Sequence, residues 1–138
     1  MSTTSRADST PLPASILSQG PYLIVSIHAA LDDDQLSRLQ RNLIDEVGRR
    51  RSRGIVIDVA ALDVVDSFAT RTLVDLAQMA RLRGAETVVV GIAPEIAMAM
   101  VRLSLQTEFT RTALDLEEGL ELLATVLHAD PAGPPWSR

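Results

Sequence analysis

A chain of 138 residues and 14.9 kDa, 46% hydrophobic and 22% charged, has the length of one domain and a globular composition. Its 13 basic residues are all arginine, set against 18 acidic ones for a net charge of -5; there is no cysteine, and histidine occurs only at positions 28 and 128. Disulfides, thiolate chemistry, Schiff-base lysines and phosphate-binding lysines are thereby excluded, and the acidic balance argues against generic nucleic-acid binding.

The first 13 residues are rich in Ser, Thr and Pro and read as a flexible tail without an apolar signal segment. Ser15–Gln19 and the β-branched run Tyr22–Ile27, separated by Gly20-Pro21, predict a hairpin. Asp32, Asp33 and Asp34 precede an amphipathic helix through Leu36, Leu39, Leu43, Ile44 and Val47. Arg49, Arg50 and Arg51 fall in its last turn, where positive charge suits the helix dipole, and Gly54 is expected to stop it. Ile55–Val59 is a buried-type strand, followed by a short loop and a second helix over 67–83. Thr87–Gly91 is another apolar strand, and Pro94 opens a third helix over 95–107. A short strand at 111–114 and a last helix, capped by Asp115 and running through Leu127, complete a domain over 14–128. Residues 129–138, rich in proline and holding the one tryptophan, read as a second flexible tail.

Apolar strands alternating with helices mean parallel strands covered by helices. The expected fold is α/β, an open, mostly parallel sheet with an antiparallel first strand, in the order β-β-α-β-α-β-α-β-α. The apolar stretch from Thr87 to Val101 is interrupted by Pro94 and Glu95, far short of the roughly 20 residues of a spanning helix. A soluble, cytoplasmic protein without a membrane segment is the expectation.

One segment stands out chemically. After the strand ending near Val59, Asp63-Val-Val-Asp66-Ser67-Phe68 leads into the second helix. Ligands and partners of open α/β sheets gather at the carboxyl ends of strands. Asp66 suits an N-cap, which puts the Ser67 hydroxyl in the first turn, open to a kinase. A phosphate there would sit at the positive end of the helix dipole and, for a docked partner, add about -1.5 to -2 of charge beside Asp66 and Asp63. Spacing alone is equally consistent with an ordinary helix cap.

The order of elements, Val65-Asp66-Ser67-Phe68 before a helix, Ile57-Asp58, and Glu86–Gly91 followed by Pro94-Glu95 resemble the STAS domain of bacterial anti-sigma-factor antagonists. Tyr22–Ile27, Arg111–Leu114 and Gly119–Leu123 extend the match over about residues 14 to 124. It is closest to the stressosome branch. Sporulation-type antagonists carry Asp-Ser-Ser-Gly where this chain has Asp66-Ser67-Phe68-Ala69, and no sensor domain is expected before its STAS region. The resemblance implies a non-enzymatic scaffold without a cofactor. Such proteins assemble with sensor-bearing STAS paralogues, hold an anti-sigma-type serine kinase, and release it when the serine matching Ser67 is phosphorylated. The kinase then acts on a stress-response or sigma-factor switch, and a phosphatase restores the serine. A free dimeric antagonist that binds its kinase directly, or a small-ligand-binding α/β domain, stays open.

Other constellations carry less. Asp58, Asp63 and Asp66 suggest a receiver-type magnesium pocket, but the lysine of that chemistry is missing. Ser67 and His128 lack a nucleophile-elbow motif, and His28 has no second histidine near it for a metal site. Arg49, Arg50 and Arg51 form either a solvated helix end or a docking patch for an acidic partner. Met98, Met100 and Val101, on a helix apolar nearly all round, suggest self-association as the alternative to burial within the monomer.

Overall fold

In the computed structural model, which describes residues 13–63, 65–95, 97–98 and 110–132, five strands form one sheet in sequence order. They are β1 (Ala14–Gln19), β2 (Tyr22–Ile27), β3 (Gly54–Asp58), β4 (Glu86–Val90) and β5 (Thr110–Ala113). β1 and β2 pair antiparallel from Ala14↔Ile27 to Gln19↔Tyr22, joined through Gly20, whose φ of 58° a β-carbon would oppose, and Pro21. The remaining pairs are parallel, with Tyr22↔Gly54 and Gly54↔Glu86 fixing the registers of β2, β3 and β4. This is the expected mixed sheet. Helices α1 (Asp33–Arg50), α2 (Ser67–Leu82) and α3 (Leu116–Ala132) accompany it.

Strand side chains alternate between faces, and the two faces hold separate cores. Leu23, Val25 and Ile27 of β2 and Ile55 and Ile57 of β3 point to the face covered by Leu39, Leu43 and Val47 of α1 and Leu76 and Ala80 of α2. Val56, Val88 and Val90 point the other way, onto Leu123 of α3. Leu43, Ile55, Ile57 and Leu123 are fully buried. Burying a side chain of this size stabilises the fold by about 1.5–3 kcal/mol.

Helices α1, α2 and α3 each start on a side-chain cap. Asp32 accepts from the Gln35 amide at 2.8 Å while Gln35 accepts from the Asp32 amide at 2.9 Å, a complete capping box. Asp115 accepts from the Glu118 amide at 2.9 Å. The ends depart from expectation in two places. α1 ends at Arg50, and Arg51 is its C-cap in the left-handed conformation (φ 52°), so Gly54 does not stop the helix. Gly54 instead opens β3 where a β-carbon would lie 2.8 Å from Leu123 Cδ1 and 3.0 Å from Tyr22 Cδ1, so its missing side chain lets α3 settle on the sheet. α3 runs on to Ala132, past the expected end at Leu127.

The helix expected over 95–107 is described only in its first turn, at Pro94, Glu95, Ala97 and Met98; Met100 and Val101 lie outside the described residues, as do residues 1–12 and 133–138. Among the described residues no helix is long and apolar enough to cross a membrane.

Candidate functional site

Parallel β–α–β topology places the start of every helix at the carboxyl edge of the sheet, so the residues after β2, β3 and β5 meet at one pole. The loop after β3 is anchored there. Val59 donates to the Val90 carbonyl at 3.0 Å, Leu62 donates back to Val59 at 3.0 Å, and Asp58 Oδ1 accepts from the Ala60 amide at 2.9 Å. Gly91, at φ 81°, passes so near that a β-carbon would lie 2.7 Å from that of Ala60. The loop thus rests on the ends of two central strands and delivers Asp66 in a fixed position.

Asp66 is the N-cap of α2. Its backbone is extended (φ -78°, ψ 178°), and its carboxylate accepts from the Ala69 amide at 2.8 Å. Ser67 is therefore the first residue of the helix, and it is exposed. The hydroxyls that follow it differ. Thr70 Oγ1 donates to the Asp66 carbonyl at 2.9 Å and Thr72 Oγ1 to the Phe68 carbonyl at 2.8 Å, and both residues are buried. An enzyme approaching this helix meets one accessible hydroxyl, that of Ser67.

Beside it lies a small, mostly apolar cleft of about 160 Å³. Leu31 and Leu36 line one side, Leu62 and Val65 the other, and Asp66 is the charged group on its wall. Phe68 is 39% exposed in the first turn of α2, and Leu114 is 79% exposed directly after β5. Asp63 is exposed on the loop. The pole combines an accessible hydroxyl, carboxylates and apolar contacts, which suits binding a protein better than transforming a small molecule.

The structure brings Asp63, Asp66, Ser67 and Phe68 together. It places the arginine candidates away from them. Arg49 and Arg50 lie in the last turn of α1 and Arg51 caps it, at the opposite end of the sheet. Met98, 55% exposed, stands just beyond the turn that follows β4. The three aspartates do not form a metal pocket, since among the described residues no group of three or more His, Asp or Glu side chains could hold an ion. His28 Nε2 is 3.3 Å from Ser15 Oγ. The cleft escaped the sequence reading because Leu62 and Val65 lie in a short connection, where neither helical nor strand periodicity applies, and Leu114, expected to end a strand, falls just beyond β5.

A sheet with this strand order, a capped serine opening the helix after the third strand and helices on both faces define a STAS-type domain. The STAS domain profile matches residues 14–119, and the chain belongs to that family. A serine-to-glutamate variant of RsbS from Moorella thermoacetica is 32% identical and covers 83% of this chain and 97% of its own, with a TM-score of 0.75. A chain from a structure described as the molecular architecture of the stressosome, a signal integration and transduction hub, is 30% identical over 82% of this chain and 98% of its own, with a TM-score of 0.68. RsbRA of Bacillus subtilis (strain 168), an RsbT co-antagonist protein, is 28% identical over 98 residues, 71% of this chain. This chain spans 36% of that relative's length. The chain is thus a STAS domain similar to those of RsbS and RsbRA.

Proposed function

We propose that this chain is a non-enzymatic, phosphorylation-gated scaffold of a cytoplasmic bacterial stressosome. It holds an anti-sigma-type, RsbT-like serine kinase at the carboxyl pole and releases it when that kinase phosphorylates Ser67. The freed kinase then works a stress-response or sigma-factor switch, and a phosphatase resets Ser67. The scaffold assembles with itself and with sensor-bearing, RsbR-like paralogues through their shared STAS domains. The observation that carries this reading is the contrast at the start of α2: Ser67 is exposed, whereas Thr70 and Thr72 are buried and bonded to backbone carbonyls.

Phosphate suits this position without disturbing the fold, because the first turn of a helix offers unpaired amides and a positive dipole end. A docked kinase experiences the change differently. Its contact with Phe68 and the Leu31–Leu62 cleft would have to accommodate a group of about -1.5 to -2 charge already flanked by Asp63 and Asp66. The gate therefore acts on the interface and leaves the domain folded.

The size of the assembly tests the scaffold. Mixed with a sensor-bearing STAS paralogue, the chain is expected to elute in the megadalton range and to carry the kinase with it. A small, stable complex with the kinase alone, formed equally well without the paralogue, would replace the scaffold by a free antagonist.

A further inference from the structure

The end of the sheet away from Ser67 carries a recess built from separate parts of the chain. Arg51, Ser52 and Arg53 join α1 to β3, Arg83 caps α2, and with Val47 and Gly48 they line an open cleft of about 540 Å³. Arg53 is held on both sides: its amide donates to the Pro21 carbonyl at 2.7 Å, and its carbonyl accepts from the Glu86 amide at 3.0 Å. Three local features are unfavourable for the fold alone. Arg51 adopts the left-handed conformation (φ 52°), which residues with a β-carbon seldom take. Gly48 stands in the last turn of α1, where alanine would favour the helix. Its bare backbone seats the Arg83 guanidinium, whose Cζ would lie 2.9 Å from a β-carbon there. Ser52 is 5% exposed, and among the described residues its hydroxyl, in the wall of the cleft, has no hydrogen-bond partner. A hydrogen-bond acceptor bound in the cleft accounts for all three.

The carboxylates at this end do not neutralise the cleft. Glu46 pairs with Arg49 and Arg50, and Asp45 lines a separate depression with Asn42, Glu46 and Arg49. Glu86 precedes Val88 and Val90 on β4 and points with them to the α3 face of the sheet, where its carboxylate lies 3.9 Å from Arg111. Arg53, two residues before Ile55, points to the opposite face. Asp45 and Glu46 thus offset Arg49 and Arg50, and Glu86 offsets Arg111. Among the described residues Arg51, Arg53 and Arg83 form no ion pair. Their three positive charges remain around one recess.

We infer that the Arg51–Arg53–Arg83 cleft binds a diphosphate group, either free or carried by a nucleoside. Planar guanidinium forks match phosphate oxygens two at a time, and two linked phosphates bring about three negative charges to face three arginines. A lone carboxylate offers two oxygens, too few for three forks and the Ser52 hydroxyl. That hydroxyl sits deep in the recess, where a small ligand enters and a flat protein surface does not. The sixteen residues of α2 put the cleft roughly 24 Å from Ser67 at 1.5 Å per residue. An occupied cleft therefore leaves Ser67 open, and the inference is independent of the kinase gate.

Isothermal titration calorimetry of the full chain at low salt tests it, with inorganic pyrophosphate, ADP and adenosine as probes. Pyrophosphate or ADP is expected to bind saturably at one site per chain, and adenosine is expected not to bind. Tighter binding of ADP assigns a nucleoside as the carrier, and tighter binding of pyrophosphate assigns the free diphosphate. Arg83→Gln is expected to weaken the better probe by about tenfold or more, the effect of losing charge-assisted hydrogen bonds. Arg71→Gln, which removes the same charge from an exposed position one turn after Ser67, should change affinity by less than about twofold. Gly48→Ala removes no charge and favours α1, but it displaces the Arg83 guanidinium. It is expected to weaken binding by about threefold or more with an unchanged or higher melting temperature. Because it keeps every arginine, it decides the matter should Arg83→Gln not fold by circular dichroism. No saturable binding of either diphosphate, adenosine binding as tightly as ADP, equal losses in Arg83→Gln and Arg71→Gln, or Gly48→Ala binding like wild type would overturn the inference.

Discussion

Leu123→Ala is expected to lower the free energy of unfolding by about 2–5 kcal/mol, the range for emptying a fully buried leucine site. Leu123 is inaccessible to solvent and contacts Val56, Val88 and Val90 from the one helix described on that face of the sheet. The neighbourhood is poorly able to collapse into the gap, because Gly54 presents only backbone there and already brings Leu123 close. At roughly 4 °C per kcal/mol for a domain of this size, the melting temperature drops by about 10 °C or more. Leu82→Ala is the control: that side chain is 88% exposed, and its removal is expected to change stability by no more than about 0.5 kcal/mol. Chemical denaturation of both variants reads the difference, and equal midpoints would contradict the two-core description.

Ser67→Asp is expected to weaken kinase binding by about tenfold or more, equivalent to about 1.4 kcal/mol at the interface. The substituted carboxylate joins Asp63 and Asp66 at the docking pole, while an acidic residue in the first helical turn is favourable to α2 itself, so thermal stability should be unchanged or slightly higher. Ser67→Ala should bind the kinase as wild type does and resist release by ATP. The pair separates loss of a hydroxyl from gain of a charge. Titration of labelled kinase against each variant measures it, and equal affinities for Ser67→Asp and wild type would remove Ser67 as the gate.

Much of this was legible in the residues because local signals and tertiary context agree. The apolar runs at 22–27, 54–58 and 86–90 are central strands buried on both faces; Asp32 and Asp66 cap the helices that follow the first two, and Asp115 caps the helix after β5. Ser67 could be placed from the cap alone. What could not be read depends on contacts between distant segments. Gly54 resembles a helix stop in sequence, yet its role comes from Leu123, almost seventy residues later. The burial of Thr70 and Thr72, which singles out Ser67, is tertiary: α2 packs against α1 and the sheet. The run Arg49–Arg53 looks like one patch, but Glu46 draws off Arg49 and Arg50, while the register of β3 and β4 joins Arg83 to Arg51 and Arg53.

The central claim is that one hydroxyl at the carboxyl pole gates kinase release. The most direct measurement incubates the assembled scaffold and kinase with ATP, then reads the phosphate position by peptide mass spectrometry and the kinase content of the same scaffold fraction. The expected result is phosphate on Ser67, with kinase leaving in proportion to its occupancy. Phosphate confined to other residues, or kinase retained on scaffold fully phosphorylated at Ser67, would contradict it.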